Sequence, residues 1–247
     1  GSVDPVRDAE VINLELALAD ISQIDKRRER LKKQLRTSKE AQLEDDLLTR
    51  IGVELDGGGA ARNLNISSEE YLMIKPLGLL TAKPIIYAAN VSEDHLAGGN
   101  PFVDAVAELA KKEAAQTVKV SAQVEAELVE LGEDERNDYL EGLGVSEGGL
   151  RSLISATYQL LGLRTYFTTG EKETRAWTFH AGDKAPVCAG KIHSDIQRGF
   201  IRAEVIHWDE LLEIGSWNSA KDVGKIRSEG KEYEFVDGDV TEFRFNV

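Results

Sequence analysis

Two short apolar runs, Lys83–Ala89 (KPIIYAA) and Thr117–Val120, constrain this chain more than any other feature. A brief continuous apolar run predicts a strand buried on both faces. The stretch between them predicts a helix over Pro101–Ala114, with Ala105, Leu109 and Ala110 facing inward. Strand, helix, strand at this spacing is a right-handed parallel crossover. Parallel strands need covered faces and neighbours, and two such strands alone would leave an apolar edge open to aggregation. The sequence therefore predicts an α/β sheet whose inner strands lie upstream of Gly1, so that the chain is a fragment or lacks a preceding region.

On the N-terminal side, Asp4-Pro5 is a helix start, an N-cap acid before proline at the first helical position. Leu14, Ala17, Ile21, Ile24, Leu31 and Leu35 then recur at the spacing of a coiled-coil seam, with Arg28 at the one missing position. Past Thr37-Ser38, Leu43, Leu47 and Ile51 continue on a shorter arm that ends at Gly57-Gly58-Gly59. This pattern predicts an antiparallel helical hairpin. Ser67 or Ser68 caps a short helix through Ile74, and a further helix runs over Gly149–Leu161.

Beyond Gly162 the pattern is mostly β. Arg164–Thr169 and Glu173–Phe179 flank Gly170-Glu171-Lys172 as a hairpin. A short helix near Ala189–Ile196, a strand at Ile201–His207 and a last hairpin through Asp237-Gly238 follow, the latter with arms Lys231–Val236 and Thr241–Val247. Four or more strands with a crossing helix suggest a small β-grasp module. The predicted domains are thus 3–63, a helical coiled-coil hairpin; 64–161, an α/β segment; and 162–247, the β-grasp module.

Composition excludes several classes. No run of 18 apolar residues exists and nothing near Gly1 reads as a signal peptide. The single cysteine, Cys188, has no internal disulfide partner, which fits a reducing, cytoplasmic setting. The net charge of −14 repels phosphate backbones, with one exception. From Lys26 to Lys39 eight basic residues face Glu29 alone, a local charge of +7 that leaves −21 for the remainder. Lys26, Arg27, Arg28, Arg30, Lys32, Lys33 and Arg36 are therefore the candidate RNA- or ribosome-binding residues, near the hairpin tip. The plain alternative is a solvated helix face.

Small-molecule chemistry points to the loop Ala89-Asn90-Val91-Ser92-Glu93, just past the first predicted strand, where open α/β sheets bind ligands. An Asn amide can donate and accept toward a purine edge, and a carboxylate can accept from ring or exocyclic N–H groups. Val120-Ser121-Ala122-Gln123 follows the second strand and offers backbone amides from the other side. Asn-x-Ser-Glu after a strand is also an ordinary helix cap. His193 lacks any accompanying nucleophile or metal-ligand spacing and reads as structural; Trp177, Trp208 and Trp217 read as packing residues, and Cys188 carries no role.

Val3–Asp20 (VDPVRDAEVINLELALAD), Ala89–Asp94 (ANVSED) and Val120–Leu128 (VSAQVEAEL) resemble the YchF family of Obg-related P-loop NTPases. So does nearly all of Gly162–Val247, including GLRTYFTTGEKETRAWTF, IHSDIQRGFIRAEV and DGDVTEFRFNV. The resemblance covers essentially the whole chain. It implies an α/β architecture of a helical coiled-coil hairpin, the C-terminal half of a P-loop NTPase G domain, and a β-grasp TGS domain. It also implies ATP, or GTP, with Mg2+ as cofactor, and the ribosome or ribosomal RNA as partner, without membrane or DNA-sequence recognition. Asn-x-x-Glu stands where most GTPases have Asn-Lys-x-Asp, a change associated with accepting ATP. Carried over, Asn90, Val91 and Glu93 bound the adenine, and Ser121 and Ala122 form the second base loop; Gln123 replaces a common lysine. The change has a physical sense: a carboxylate placed to accept from guanine N1–H and N2–H2 finds no such pair on adenine.

Phosphoryl transfer also needs a G-x-x-x-x-G-K-[ST] loop, and the sequence contains none. Catalytic residues and Mg2+ ligands are expected upstream, so turnover is expected of the intact protein and not of this stretch alone. The family resemblance makes Lys191, Arg198, Arg202, Lys225 and Arg227 candidate docking contacts of the TGS portion. The implied function is ribosome-associated ATP hydrolysis in translation or stress regulation; the alternative is a non-catalytic, nucleotide-sensing RNA- or ribosome-binding adaptor.

Overall fold

The structure, a computed structural model, describes residues 3–170 and 173–246. The chain falls into two compact units, Gly1–Ile154 and Ser155–Val247.

In the first unit, α1 (Pro5–Leu31) starts where Asp4 accepts a hydrogen bond from the Arg7 amide, and α2 (Lys39–Asp56) where Ser38 accepts from Ala41. The two pack through Ala17, Ile24, Leu31, Ala41, Leu48 and Ile51. This is the hairpin predicted from spacing, with one correction. Leu14 is 56% exposed, so the buried seam begins a turn later, at Ala17, and a carboxylate shares it: Asp20 is 1% exposed. Asp20 accepts from the amides of Leu80 and Thr81 and from the Thr81 hydroxyl, at 2.6–2.8 Å, which pins α1 to the loop before the sheet. Arg28, read as filling the missing seam position, pairs with Asp45 on α2 and keeps 39% of its side chain exposed.

Ser67 caps α3 (Ser68–Ile74) in a reciprocal capping box with Glu70. Then β1 (Ile86–Asn90), α4 (Pro101–Lys112) and β2 (Gln116–Val120) form the expected parallel crossover, Ile86 opposite Gln116 and Asn90 opposite Val120. Pro84 delays the strand, because proline has no amide to give to a ladder. The prediction that β1 is buried on both faces fails: Ala88 and Asn90 are exposed. Its sheet has only two strands among the described residues, so one edge of β1 meets no neighbour. The inner face of α4 is also rotated from expectation, onto Val106 and Ala110, leaving Ala105 exposed. Two helices absent from the sequence reading follow, α5 (Ala122–Glu130) and α6 (Glu133–Gly142), and then α7 (Gly149–Leu160).

The second unit is built on a mixed five-stranded sheet in the order β4-β3-β7-β5-β6. Its strands are β3 (Leu163–Thr169), β4 (Thr174–His180), β5 (Phe200–His207), β6 (Arg227–Glu229) and β7 (Asp239–Phe245). Between β4 and β5 lie α8 (Ala185–Ile192) and α9 (Ser194–Arg198), and between β5 and β6 lie α10 (Trp208–Ile214) and α11 (Trp217–Asp222). Both β3 and β4 form, but the predicted turn residues Glu171 and Lys172 lie outside the described residues. The final hairpin is wrong: Lys231–Val236 is not a strand of the sheet. β7 is already flanked by β5 and by β3, and residues 231–236 instead bond to the loop before α8, through Ala185 to Tyr233 and Phe235 to Asp183. Tyr166, Phe179, Phe200, Phe235 and Phe243 pack on one sheet face, and Ile206, Ala220 and Val240 on the other.

Cys188 is fully buried, and burial pushes its thiol up to about 12, an inert packing residue. His193 accepts from the Asp195 amide and so caps α9. Trp177 and Trp217 pack against the cores, whereas Trp208 is 47% exposed.

Candidate nucleotide-base site

Because Asn90 and Val120 stand opposite each other at the carboxyl ends of parallel strands, the loops that follow leave the sheet side by side. Val91 continues the ladder, donating its amide to the Val120 carbonyl at 2.8 Å. The Asn90 side chain then joins the two loops: its Oδ1 accepts from the Ala122 amide at 3.1 Å. With the carbonyl oxygen occupied, the side-chain NH2 is left to donate to an acceptor placed beyond the strands. Val91 packs on Leu96, Val124, Leu128 and Leu140, which fixes the loop from below.

Glu93 opens a short 3-10 turn, Glu93–His95, and is half-buried. Ser121 is 1% exposed, and its hydroxyl caps α5 by accepting from the Val124 amide. Its side chain is thus committed to the helix. Ala122 sits at the start of α5, its amide already taken by Asn90. Asn90, Val91, Glu93, Ser121 and Ala122 are therefore brought together at one end of the two-stranded sheet. The two loops offer an amide donor at Asn90 and, three residues along the same loop, a carboxylate at Glu93, groups that can complement a purine presenting a ring nitrogen acceptor and an exocyclic amine.

Sequence reasoning named Gln123 but missed the residues it is tied to, Glu127 and, through it, Tyr139. The Tyr139 hydroxyl donates to Glu127 Oε2 at 2.5 Å, and Gln123 Nε2 donates to Glu127 Oε1 at 3.1 Å. The bond to Glu127, with burial and the charges of Glu127 and Glu93, pushes Tyr139 up to about 12. The same bond holds Glu127 below the usual carboxylate range. The i, i+4 spacing of Gln123 and Glu127 was a readable signal; Tyr139, on an unpredicted helix, was not.

Behind β1 a polar cluster ties the strand to the root of the hairpin. The Tyr87 hydroxyl donates to Glu113 at 2.9 Å, Asn13 donates to both, and Arg62 pairs with Glu113 at 3.1 Å. Burial, ahead of its polar contacts, raises the Tyr87 pKa. Clefts of the first unit lie between α5, α6 and the start of α7, along β2 against residues 144–152, and beside Asn13, Gly58 and Glu113. Among the described residues no three His, Cys, Asp or Glu side chains converge to hold a metal, and no helix is long and apolar enough to cross a membrane.

At the hairpin tip the basic residues divide. Arg27 forks onto Glu44 at 2.6 and 2.7 Å, Arg28 onto Asp45, and Lys32 pairs with Glu29. Lys26, Arg30, Lys33 and Arg36 are exposed and form no ion pair among the described residues. In the second unit every suggested docking cation is paired: Lys191 with Asp183, Arg198 with Asp195, Arg202 with Glu204, Lys225 with Glu210, and Arg227 with Asp239.

The chain is similar to known proteins over its whole length. A family model named for the YchF GTPase C-terminal region, and described as a protein of unknown function (DUF933), matches residues 163–246. The ribosome-binding ATPase YchF of Bacillus subtilis is 49% identical over 250 residues, covering 100% of this chain and 68% of that protein. Its counterpart from Escherichia coli O157:H7 is 45% identical over 248 residues, with the same coverage. Among solved structures, the YchF GTPase of Schizosaccharomyces pombe superposes with a TM-score of 0.88 at 31% identity, covering 99% of this chain and 67% of that one. A GTP-binding protein from Pyrococcus horikoshii OT3 shares the fold at a TM-score of 0.61 and 18% identity, covering 100% of this chain and 73% of that one.

Proposed function

The chain belongs to the YchF family, and we propose that it supplies base recognition and ribosome docking to a ribosome-associated ATPase acting in translation or stress regulation. The observation that carries the reading is the hydrogen bond from the Ala122 amide to Asn90 Oδ1, which locks the two base loops together and leaves the Asn90 NH2 as a fixed donor. In this reading Asn90 donates to the purine N7, Val91 and Ala122 border the ring, and Glu93 receives the exocyclic amine of adenine. Guanine carries a carbonyl at that edge, which a carboxylate repels. The two loops thus favour ATP without excluding GTP outright.

A bound nucleotide with Mg2+ would bring the phosphoryl group to be transferred. The residues present fit only its base: the sequence has no G-x-x-x-x-G-K-[ST] loop, so residues 1–247 alone should bind weakly and turn over nothing.

Docking is assigned to Lys26, Arg30, Lys33 and Arg36 at the hairpin tip, the cations left without carboxylate partners, with Arg27, Arg28 and Lys32 contributing through a face they also brace. Such a patch binds ribosomal RNA through its phosphates, with strong salt dependence and no sequence preference. We further propose that residues 3–63, 64–161 and 162–247 act as coiled-coil arm, C-terminal part of the NTPase domain, and TGS module.

The test is nucleotide binding and Mg2+-dependent hydrolysis by the full-length protein carrying Asn90→Ala. Loss of nucleotide affinity with ribosome binding retained supports the reading. Ribosome binding without any hydrolysis by the unaltered protein would instead favour the adaptor alternative.

A further inference from the structure

We propose that Trp208, in the second unit, anchors a docking surface for a basic protein segment, one rich in lysine or arginine that presents a bulky apolar side chain. The inference does not rest on the nucleotide reading. Three observations carry it.

Trp208 is 47% exposed, yet it is held as if it were a core residue. Its amide donates to the Gly238 carbonyl at 3.0 Å. Gly238 has φ +88°, and a Cβ there would stand 2.5 Å from the Trp208 ring and 2.7 Å from His207 Nε2. The tight turn therefore lies directly against the indole. The His207 ring, 6.0 Å away centre to centre, is itself fixed by Asp209 at 2.5 Å and by the Asp237 carbonyl at 3.1 Å. A large aromatic ring immobilised before any partner arrives loses little entropy on binding, and such rings dominate interface energetics.

The ring is not isolated. Leu212, one helical turn along α10, is 71% exposed, and Val236, two residues before Gly238, is 54% exposed. Leu212 thus stands on the same face of α10 as the indole, an apolar neighbour at the surface.

Charge selects the partner. The segments shown against Trp208 are His207–Glu213 and Asp237–Asp239, and between them they carry five carboxylates and no lysine or arginine. Three of those are matched, Glu210 by Lys225, Asp209 by His207 and Asp239 by Arg227. Glu213 and Asp237 have no ion-pair partner among the described residues. Phosphate is disfavoured at such a rim, and a cationic polypeptide is steered toward it. Since the suggested RNA contacts of this unit are all engaged by carboxylates, a protein partner fits its surface better than RNA does.

The test is calorimetric titration of the full-length protein with a synthetic peptide of alternating lysine and leucine. A glutamate–leucine peptide and a uridine oligonucleotide of equal length serve as controls. The account predicts binding of the lysine–leucine peptide alone. It predicts at least a tenfold loss in Trp208→Ala, a smaller loss in Trp208→Phe, and a loss again in Glu213→Lys combined with Asp237→Asn, which keeps the bond to Thr165. Unchanged peptide affinity in a folded Trp208→Ala protein overturns the proposal. So does Trp208-dependent binding of the oligonucleotide. Should Trp208→Ala fail to fold, the Glu213→Lys/Asp237→Asn pair decides by itself, since unchanged affinity there removes the charge argument.

Discussion

Arg27 on α1 and Glu44 on α2 form a two-pronged ion pair, Nε to Oε1 at 2.6 Å and Nη2 to Oε2 at 2.7 Å, with only 12% of the Glu44 side chain exposed. One helix turn of the basic window is thereby spent on holding the hairpin closed. The bond to Glu44 raises the Arg27 pKa, and a bond to Asp45 does the same for Arg28.

That division separates docking from stability. Glu substitutions at Lys26, Arg30, Lys33 and Arg36 should abolish ribosome binding while leaving the melting temperature within a few degrees of the parent. Ala substitutions at Arg27 and Arg28 should weaken binding less and lower stability, by about 1 kcal/mol or less for each partly exposed pair. Ribosome sedimentation and thermal melting on both variants read this directly. Ribosome binding that survives the first set removes the tip from the account.

Asp20 makes a sharper stability prediction. Its buried carboxylate serves the Leu80 and Thr81 amides and the Thr81 hydroxyl. Asp20→Ala leaves the buried Thr81 amide and hydroxyl without their acceptor and should cost about 2–5 kcal/mol in chemical denaturation. Asp20→Asn, which keeps an acceptor, should cost less. Equal costs would mean the carboxylate is not what holds the loop.

The His207 pair gives a pH signature. The bond to Asp209 is the largest influence raising the His207 pKa above 6.5. A histidine raised on folding adds stability that is fully present below pH 6.5 and is lost as pH rises through the folded value. An NMR titration should therefore place the His207 midpoint above 6.5, and Asp209→Asn should bring it down. A midpoint at or below 6.5 contradicts the pairing.

Much of this was legible in the residues, and the failures have physical causes. Asp4-Pro5 and Ser67 announced their helices because caps are local chemistry, whereas Ser38, read only as a break, turned out to cap α2. The parallel crossover and the loop at Asn90 followed from two apolar runs. Leu14 misled because a heptad count cannot tell a packed leucine from an exposed one. Residues 231–236 alternate like a strand, yet β7 had already filled both its edges with β5 and β3, which only tertiary pairing decides. Charge counting likewise exposed the window from Lys26 to Lys39, but not that Glu44 and Asp45, on the other arm, cancel two of its members.

The most direct test of the central claim is calorimetric titration of ATP and GTP, with Mg2+, into the full-length protein and its Asn90→Ala variant. The account predicts tighter binding of ATP than GTP by the parent. It predicts a loss of at least tenfold for ATP in the variant, about 1.4 kcal/mol, with ribosome binding unchanged. ATP affinity that is the same in both proteins would contradict it, because the one side chain that joins the two base loops would then do nothing for the base.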